Sequence, residues 1–421
     1  MRPSVVTGDQ RRSWTLAGSV LASLCVGFGY AWSVLLKPLA SDFGWSAADV
    51  SLTFTALMTM GAVASIVAGK LQQYVQPRTL ILLGGALFGV GMACLGSVQS
   101  LTAVYGFSAL AGFGMGVVYP GATMSNVIRF FPDRRGLASG VLSAGYGTGA
   151  VIWAPLAVFL IDQFGLAWAL RIMGVAFFGA VAVLSRTVRT APAGYAPRGR
   201  SPALPDGARS SVSADRDWKG MMRTPDFFVL ALLFIAGTLS GMMVIGHASP
   251  IAQQILGITP KAAGAIVSLL AVGMVTGKVG WGAVSDRVGR TAVFVALFSI
   301  VAVALVLLAS VTSYVGVAVC IAAVGLCYGG FLAVMGPVTA DAFGPAYLGV
   351  NFGIMFFTVA ISSFVGPRVA AVVADANGGS FSKAFLIAAA ISVAGLGLVG
   401  AHALLRRRSV RPATNQAEER V

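Results

Sequence analysis

Twelve apolar stretches follow one another along this chain, each about the 20 residues that an α-helix needs to cross a hydrocarbon core. They run approximately over 13–36, 48–69, 79–98, 102–126, 136–160, 166–186, 225–247, 261–285, 291–310, 313–336, 348–374 and 381–404. Short polar joints separate them, with one long exception. Residues 187–224 hold Pro192, Pro197, Pro202 and Pro205 among glycines and arginines, the composition of a linker. With 57% apolar residues, 10% charged residues and a mean hydropathy of +0.85, the 421-residue chain lacks the polar surface a soluble protein needs. The expected fold is an all-α integral membrane protein of twelve transmembrane helices in two six-helix halves. Its parts are a first half over 1–186, a cytoplasmic linker over 187–224, a second half over 225–405 and a cytoplasmic tail over 406–421.

The net charge of +15 does not point to nucleic acid, because it follows the joints between spans and forms no aromatic-rich basic face. With the N-terminus cytoplasmic, three of the 29 Lys and Arg are external (Lys37, Lys261, Lys383) and three lie in spans (Arg171, Lys278, Arg368), leaving 23 on the cytoplasmic side. That bias puts both termini and the linker inside a cell (inner) membrane. Arg2, Arg11 and Arg12 precede a full-length span, so the N-terminus reads as a first helix rather than a cleaved signal. Cys25, Cys94, Cys320 and Cys327 fall in apolar runs without a CxxC pair, which leaves no expected metal site or disulfide. No phosphate-binding GxxxxGK[ST] loop and no catalytic constellation is present, so no cofactor and no enzymatic activity are expected.

Lys278 is the residue that most needs a reason. It interrupts the eighth apolar span, where an ammonium in hydrocarbon costs roughly 2.5–3.5 kcal/mol even on lenient scales. Met274 and Trp281 share its helical face, while Gly273, Gly277 and Gly280 form a second, smooth one. A cation so placed faces a watery cavity or a substrate, or it snorkels toward an interface.

The halves echo one another. GKLQQYVQPR (Gly69–Arg78) follows the second span and GAVSDRVGR (Gly282–Arg290) follows the eighth, both glycine-started and basic. Duplicated halves related by an axis along the membrane normal are expected, with the binding site at their interface. These loops resemble the signature of the major facilitator superfamily. The second copy keeps Gly282, Asp286, Arg287, Gly289 and Arg290, to which the resemblance assigns a conformational latch. The first copy has Gln73 in place of the acid and Pro77 where glycine or arginine is expected.

Within that superfamily, the stretch GFGMGVVYPGATMSNVIRFFPDRRGLASGVLSAGYGTG (Gly112–Gly149) is similar to the oxalate/formate antiporter family, close to the monocarboxylate transporters. YAWSVLLKPLASDFGWS (Tyr30–Ser46), IGHASPIAQ (Ile245–Gln253) and NFGIMFF (Asn351–Phe357) support the likeness. The resemblance implies a cation in helix 8, matched here by Lys278, and a second in helix 11, where this chain has Val359. It also implies an aromatic wall, matched by Tyr30, Tyr119, Tyr146 and Tyr328 and by Phe356 and Phe357. A single cation suits a monoanion better than a dianion, whose second carboxylate would be desolvated without a partner. The expected substrate is therefore a small monocarboxylate such as lactate, pyruvate or a related 2-hydroxy or 2-oxo acid.

Arg368 and Arg171, near span ends, read as interfacial anchors, with Arg368 the alternative second cation. His247 is the candidate proton relay, since no acidic residue lies deep in a span. The expected protein is a monomeric secondary transporter working by alternating access, as a proton symporter or an anion exchanger. A dicarboxylate antiporter and a drug-efflux transporter of the same fold are the alternatives, and a membrane sensor or membrane enzyme is disfavoured by the short joints.

Overall fold

The computed structural model describes residues 8–45, 47–192 and 215–410. Among them lie fifteen α-helices and no strand. They are α1 (Gly8–Val26), α2 (Ser33–Phe43), α3 (Ala47–Leu71), α4 (Pro77–Leu95), α5 (Leu101–Gly116), α6 (Thr123–Phe130), α7 (Arg135–Ser185), α8 (Trp218–Met222), α9 (Pro225–Ile245), α10 (Ala248–Leu256), α11 (Pro260–Val288), α12 (Arg290–Leu308), α13 (Tyr314–Phe343), α14 (Leu348–Asp375) and α15 (Ser382–Val410).

Local chemistry sets where several of these begin. Ser100, Thr224, Thr259 and Ser313 each accept a hydrogen bond from the backbone N–H three residues on, meeting one donor that the first turn leaves over. Pro77, Pro225 and Pro260 stand at the first helical turn, where a missing N–H costs nothing.

Among the described residues, eleven helical segments are long and apolar enough to cross a membrane, and one of them, α7, has 51 residues. At 1.5 Å per residue it would measure about 75 Å, more than twice the roughly 30 Å of hydrocarbon it has to cross. It is in fact two helices meeting at Gly165, whose φ of 76° and ψ of 165° only glycine adopts readily. Counting α7 twice gives the twelve spans expected from hydropathy.

The chain gathers into two compact units. The first comprises the described residues of Met1–Ala203 with Tyr347–Phe357, and the second those of Leu204–Ala346 with Thr358–Val421. The opening turns of α14 join the first unit because they lie against the end of α3, where a Cβ on Gly69 would fall 2.3 Å from the Gly349 carbonyl carbon. Phe28, Trp32 and Phe88 are fully buried in the first unit. In the second, Phe298 and Phe331 pack at 4.8 Å and Phe234 and Phe294 at 5.6 Å.

The linker expected over 187–224 is described only at its ends, each tied to its own unit. Asn126, buried on α6, donates to the Arg189 carbonyl at 2.8 Å and accepts from the Ala191 N–H at 3.1 Å. At the other end the Arg216 N–H donates to the Phe343 carbonyl at 3.0 Å, and Asp215 Oδ1 accepts from the Ala346 N–H at 3.1 Å. Most of the expected tail, from 411 onward, lies outside the described residues.

Candidate functional site

In the first unit the structure brings four predicted aromatic residues together. α1 gives way to a 3-10 turn, Gly27–Ala31, which carries Tyr30. That turn lies close against α7 because Gly27 faces Gly149 there: a Cβ on Gly27 would fall 2.2 Å from the Tyr146 carbonyl oxygen, and one on Gly149 would fall 2.8 Å from the Gly27 Cα. The Tyr30 and Tyr146 rings are consequently 5.0 Å apart. Tyr119 enters from a break between α5 and α6, Val117–Ala122, and stacks on Tyr146 at 4.2 Å with 20° between the ring planes. Phe356 meets Tyr119 edge to face at 6.5 Å. Adjacent in sequence, Phe357 turns to a different side and is 40% exposed.

Two residues not singled out by sequence hold the tyrosine hydroxyls. Tyr119 donates to Ser143 Oγ at 3.0 Å, and Tyr146 donates to the Met115 thioether at 3.3 Å. Both rings are buried, so the cluster offers an apolar wall with hydroxyls whose directions neighbouring helices set.

In the second unit Lys278 is 1% exposed, enclosed rather than extended toward an interface. α11 and α13 cross there backbone to backbone. A Cβ on Gly277 would lie 2.0 Å from the Leu326 carbonyl oxygen, and one on Gly329 would lie 2.2 Å from that of Met274. Gly273 belongs to the same crossing, whereas Gly280, expected on that smooth face, has open space around it. The pattern of three glycines on α11 thus serves packing at only two. Tyr328, on α13, is buried against Gly241 of α9. Val359, where the resemblance implies a second cation, is buried on α14.

Arg368 is exposed and lies 3.8 Å over the Phe364 ring, and Arg171 lies 5.0 Å over Trp168 while donating to Ser97 Oγ at 2.9 Å. An arginine on an exposed aromatic suits the border between lipid and water. His247 lies in the joint after α9 and caps the start of α10, with its ring 5.2 Å from Phe381 and its Nδ1 shielded without a hydrogen-bond partner among the described residues.

The predicted latch residues gather at the joint between α11 and α12. Gly289 turns the chain with φ 88° and ψ 162°, again a glycine conformation. Arg290 then reaches back to Asp286 Oδ1 at 2.9 Å and across to Asp341 Oδ2 at 3.1 Å, while Gly282 is buried and Arg287 exposed. Asp341 was not anticipated. It lies beyond the apolar stretch ending near 336, in turns of α13 that continue to Phe343, so hydropathy alone gave no reason to pair it.

The family model for the Major Facilitator Superfamily matches residues 19–247 and 233–421. The chain belongs to the major facilitator superfamily. Among curated relatives of this superfamily member is an oxalate:formate antiporter of Oxalobacter formigenes, 30% identical over 92% of this chain and 90% of the relative. Monocarboxylate transporter 12 of Xenopus laevis is 25% identical over 73% of this chain and 70% of its own. Among solved structures, the E. coli fucose:proton symporter FucP aligns with a TM-score of 0.70 at 15% identity, over 93% of this chain and 99% of that one, which supports the fold alone. The protein is a multi-pass membrane transporter and not an enzyme.

Proposed function

We propose that this transporter moves a small monocarboxylate, such as lactate, pyruvate or a related 2-hydroxy or 2-oxo acid, by alternating access. The observation that carries the reading is the burial of Lys278 in a membrane span, with valine rather than a cation at position 359. A substrate carboxylate brought beside this buried ammonium is attracted to it in a low-dielectric site, which lowers the carboxylate's cost of leaving water. Tyr30, Tyr119 and Tyr146, with Phe356, offer aromatic surface for the carbon body, and Tyr328 is assigned to the same task in the second unit. The residues of the α11–α12 joint, Gly282, Asp286, Arg287, Gly289 and Arg290, act as the conformational latch. The charge pattern of the joints supports cytoplasmic termini in the cell (inner) membrane. His247 is the proton relay if transport is proton-coupled, and exchange needs none. The protein acts as a monomer, with two six-helix halves over 1–186 and 225–405.

Oxalate/formate exchange is the second reading, favoured by the relative at 30% identity. Uptake of labelled lactate or pyruvate into proteoliposomes, compared between the parent and Lys278→Ala with and without an inward proton gradient, tests the first. Saturable uptake lost in the variant supports it, and the gradient separates symport from exchange. Uptake of oxalate with none of lactate or pyruvate would establish the second reading in its place.

A further inference from the structure

The first copy of the loop signature departs from the family pattern, and the structure gives one of its residues another task. Gln72 follows α3 directly. Its Nε2 donates to the carbonyl of Gly121, and its Oε1 accepts from the Ser125 hydroxyl. Gly121 belongs to the break that interrupts the fourth span. There Tyr119 is extended, with φ −132° and ψ 128°, and Pro120 has no N–H, so the helical ladder fails for a turn. Carbonyls released inside a membrane span need donors from the protein, because lipid has none. Gln72 answers Gly121, while the Val118 carbonyl keeps a backbone donor, the Thr123 N–H, and also accepts from Thr123 Oγ1 at 2.9 Å. Ala68, one turn before Gln72 on the same face of α3, presses on the same point: a Cβ on Gly121 would fall 2.7 Å from that of Ala68.

We propose that Gln72 is a positioning residue for Tyr119, tying the end of the second span to the break in the fourth and so fixing the ring that meets the substrate. The proposal rests on the reading of Tyr119 as a substrate contact. A neutral amide suits the task because it donates to a carbonyl and accepts from a hydroxyl at once. Glutamate has nearly the same shape but, ionised, cannot donate, and it would set a carboxylate against the Gly121 carbonyl.

The test uses the full chain labelled with fluorotyrosine, with the Tyr119 resonance among nine tyrosines assigned by its loss in Tyr119→Phe. Gln72→Glu shifts that ¹⁹F resonance in detergent micelles, and in proteoliposomes it raises the KM for lactate about fivefold, the effect of one misplaced hydrogen bond, with Vmax retained. In the Tyr119→Phe background the KM effect of Gln72→Glu shrinks. Should Gln72→Glu fold poorly, Ser125→Ala, which releases only the amide oxygen, gives the same shift in smaller measure. An unmoved Tyr119 resonance overturns the proposal, including the case where Vmax and melting temperature fall together. A moved resonance with KM unchanged in both Gln72→Glu and Tyr119→Phe upholds the link and instead overturns the reading of Tyr119 as a substrate contact.

Discussion

Arg290 Nε lies 3.1 Å from Asp341 Oδ2, a contact that fastens the first residue of α12 to the last turn of α13. The same guanidinium also holds Asp286 at 2.9 Å, so one cation joins three helices through two carboxylates. The fork of arginine makes this possible, since its N–H groups point to both acids at once, which a lysine ammonium does less well.

Replacing Asp341 with asparagine keeps an acceptor near Arg290 but removes one of the two negative charges that pair with it, in a site where its side chain is only 17% exposed. The expected loss of stability is about 1–3 kcal/mol, read as a lower melting temperature in detergent. Vmax in proteoliposomes falls while KM holds, because the joint touches no substrate, and Arg290→Lys gives a weaker version of both. A raised KM at constant Vmax would contradict the latch.

Gly277 and Gly280 form a matched pair. Alanine at 277 would bring a Cβ to 2.0 Å from a carbonyl oxygen of α13, whereas at 280 it would enter open space. Gly277→Ala therefore costs on the order of 1–3 kcal/mol through forced separation of α11 and α13 and raises KM by displacing Lys278. Gly280→Ala leaves stability unchanged or raises it by up to about 1 kcal/mol. Thermal melts and uptake of both variants, made side by side, check the contrast.

Gly289→Ala forces a side chain into a backbone conformation that glycine alone holds easily, at about 1–3 kcal/mol. Since Gly289 sits between Asp286 and Arg290, the variant slows turnover as Asp341→Asn does, with no further loss when the two are combined. Rates of the single and double variants test that non-additivity.

Asn126→Ala removes two of the hydrogen bonds that hold the Arg189–Ala191 backbone and leaves that of the Arg189 N–H to Thr15 Oγ1 at 3.3 Å. Two backbone groups lose their partner, so the segment opens and protease cleavage near 187–192 accelerates at least about tenfold. Unchanged cleavage would mean that the segment is held by other contacts.

Much of this fold was legible because a bilayer imposes one length and one polarity on every span, and both are written in the order of residues. The joint of α11 and α12 was legible for a similar reason, since glycine and charge cluster there in a short run. Partner choice was not. Asp341, Ser143, Met115 and Gln72 act on residues tens of positions away, and each is an ordinary residue until α13, α7, α5 or α3 sets it beside its partner. The open space at Gly280 has the same origin: a run of glycines shows where a helix can be approached but not which of them another helix meets. The break at Tyr119 was not anticipated, because an uninterrupted apolar span over 102–126 hides the one residue, Pro120, that cannot continue the ladder.

The joint at Gly165 has a mechanical consequence. Between the fifth and sixth spans the chain leaves helical geometry at this single residue, so the corner has no slack to absorb a tilt. One residue spans about 3.5 Å, so the end of the fifth span stays within that reach of the start of the sixth however either tilts, and lengthening the corner would remove that limit without touching either helix.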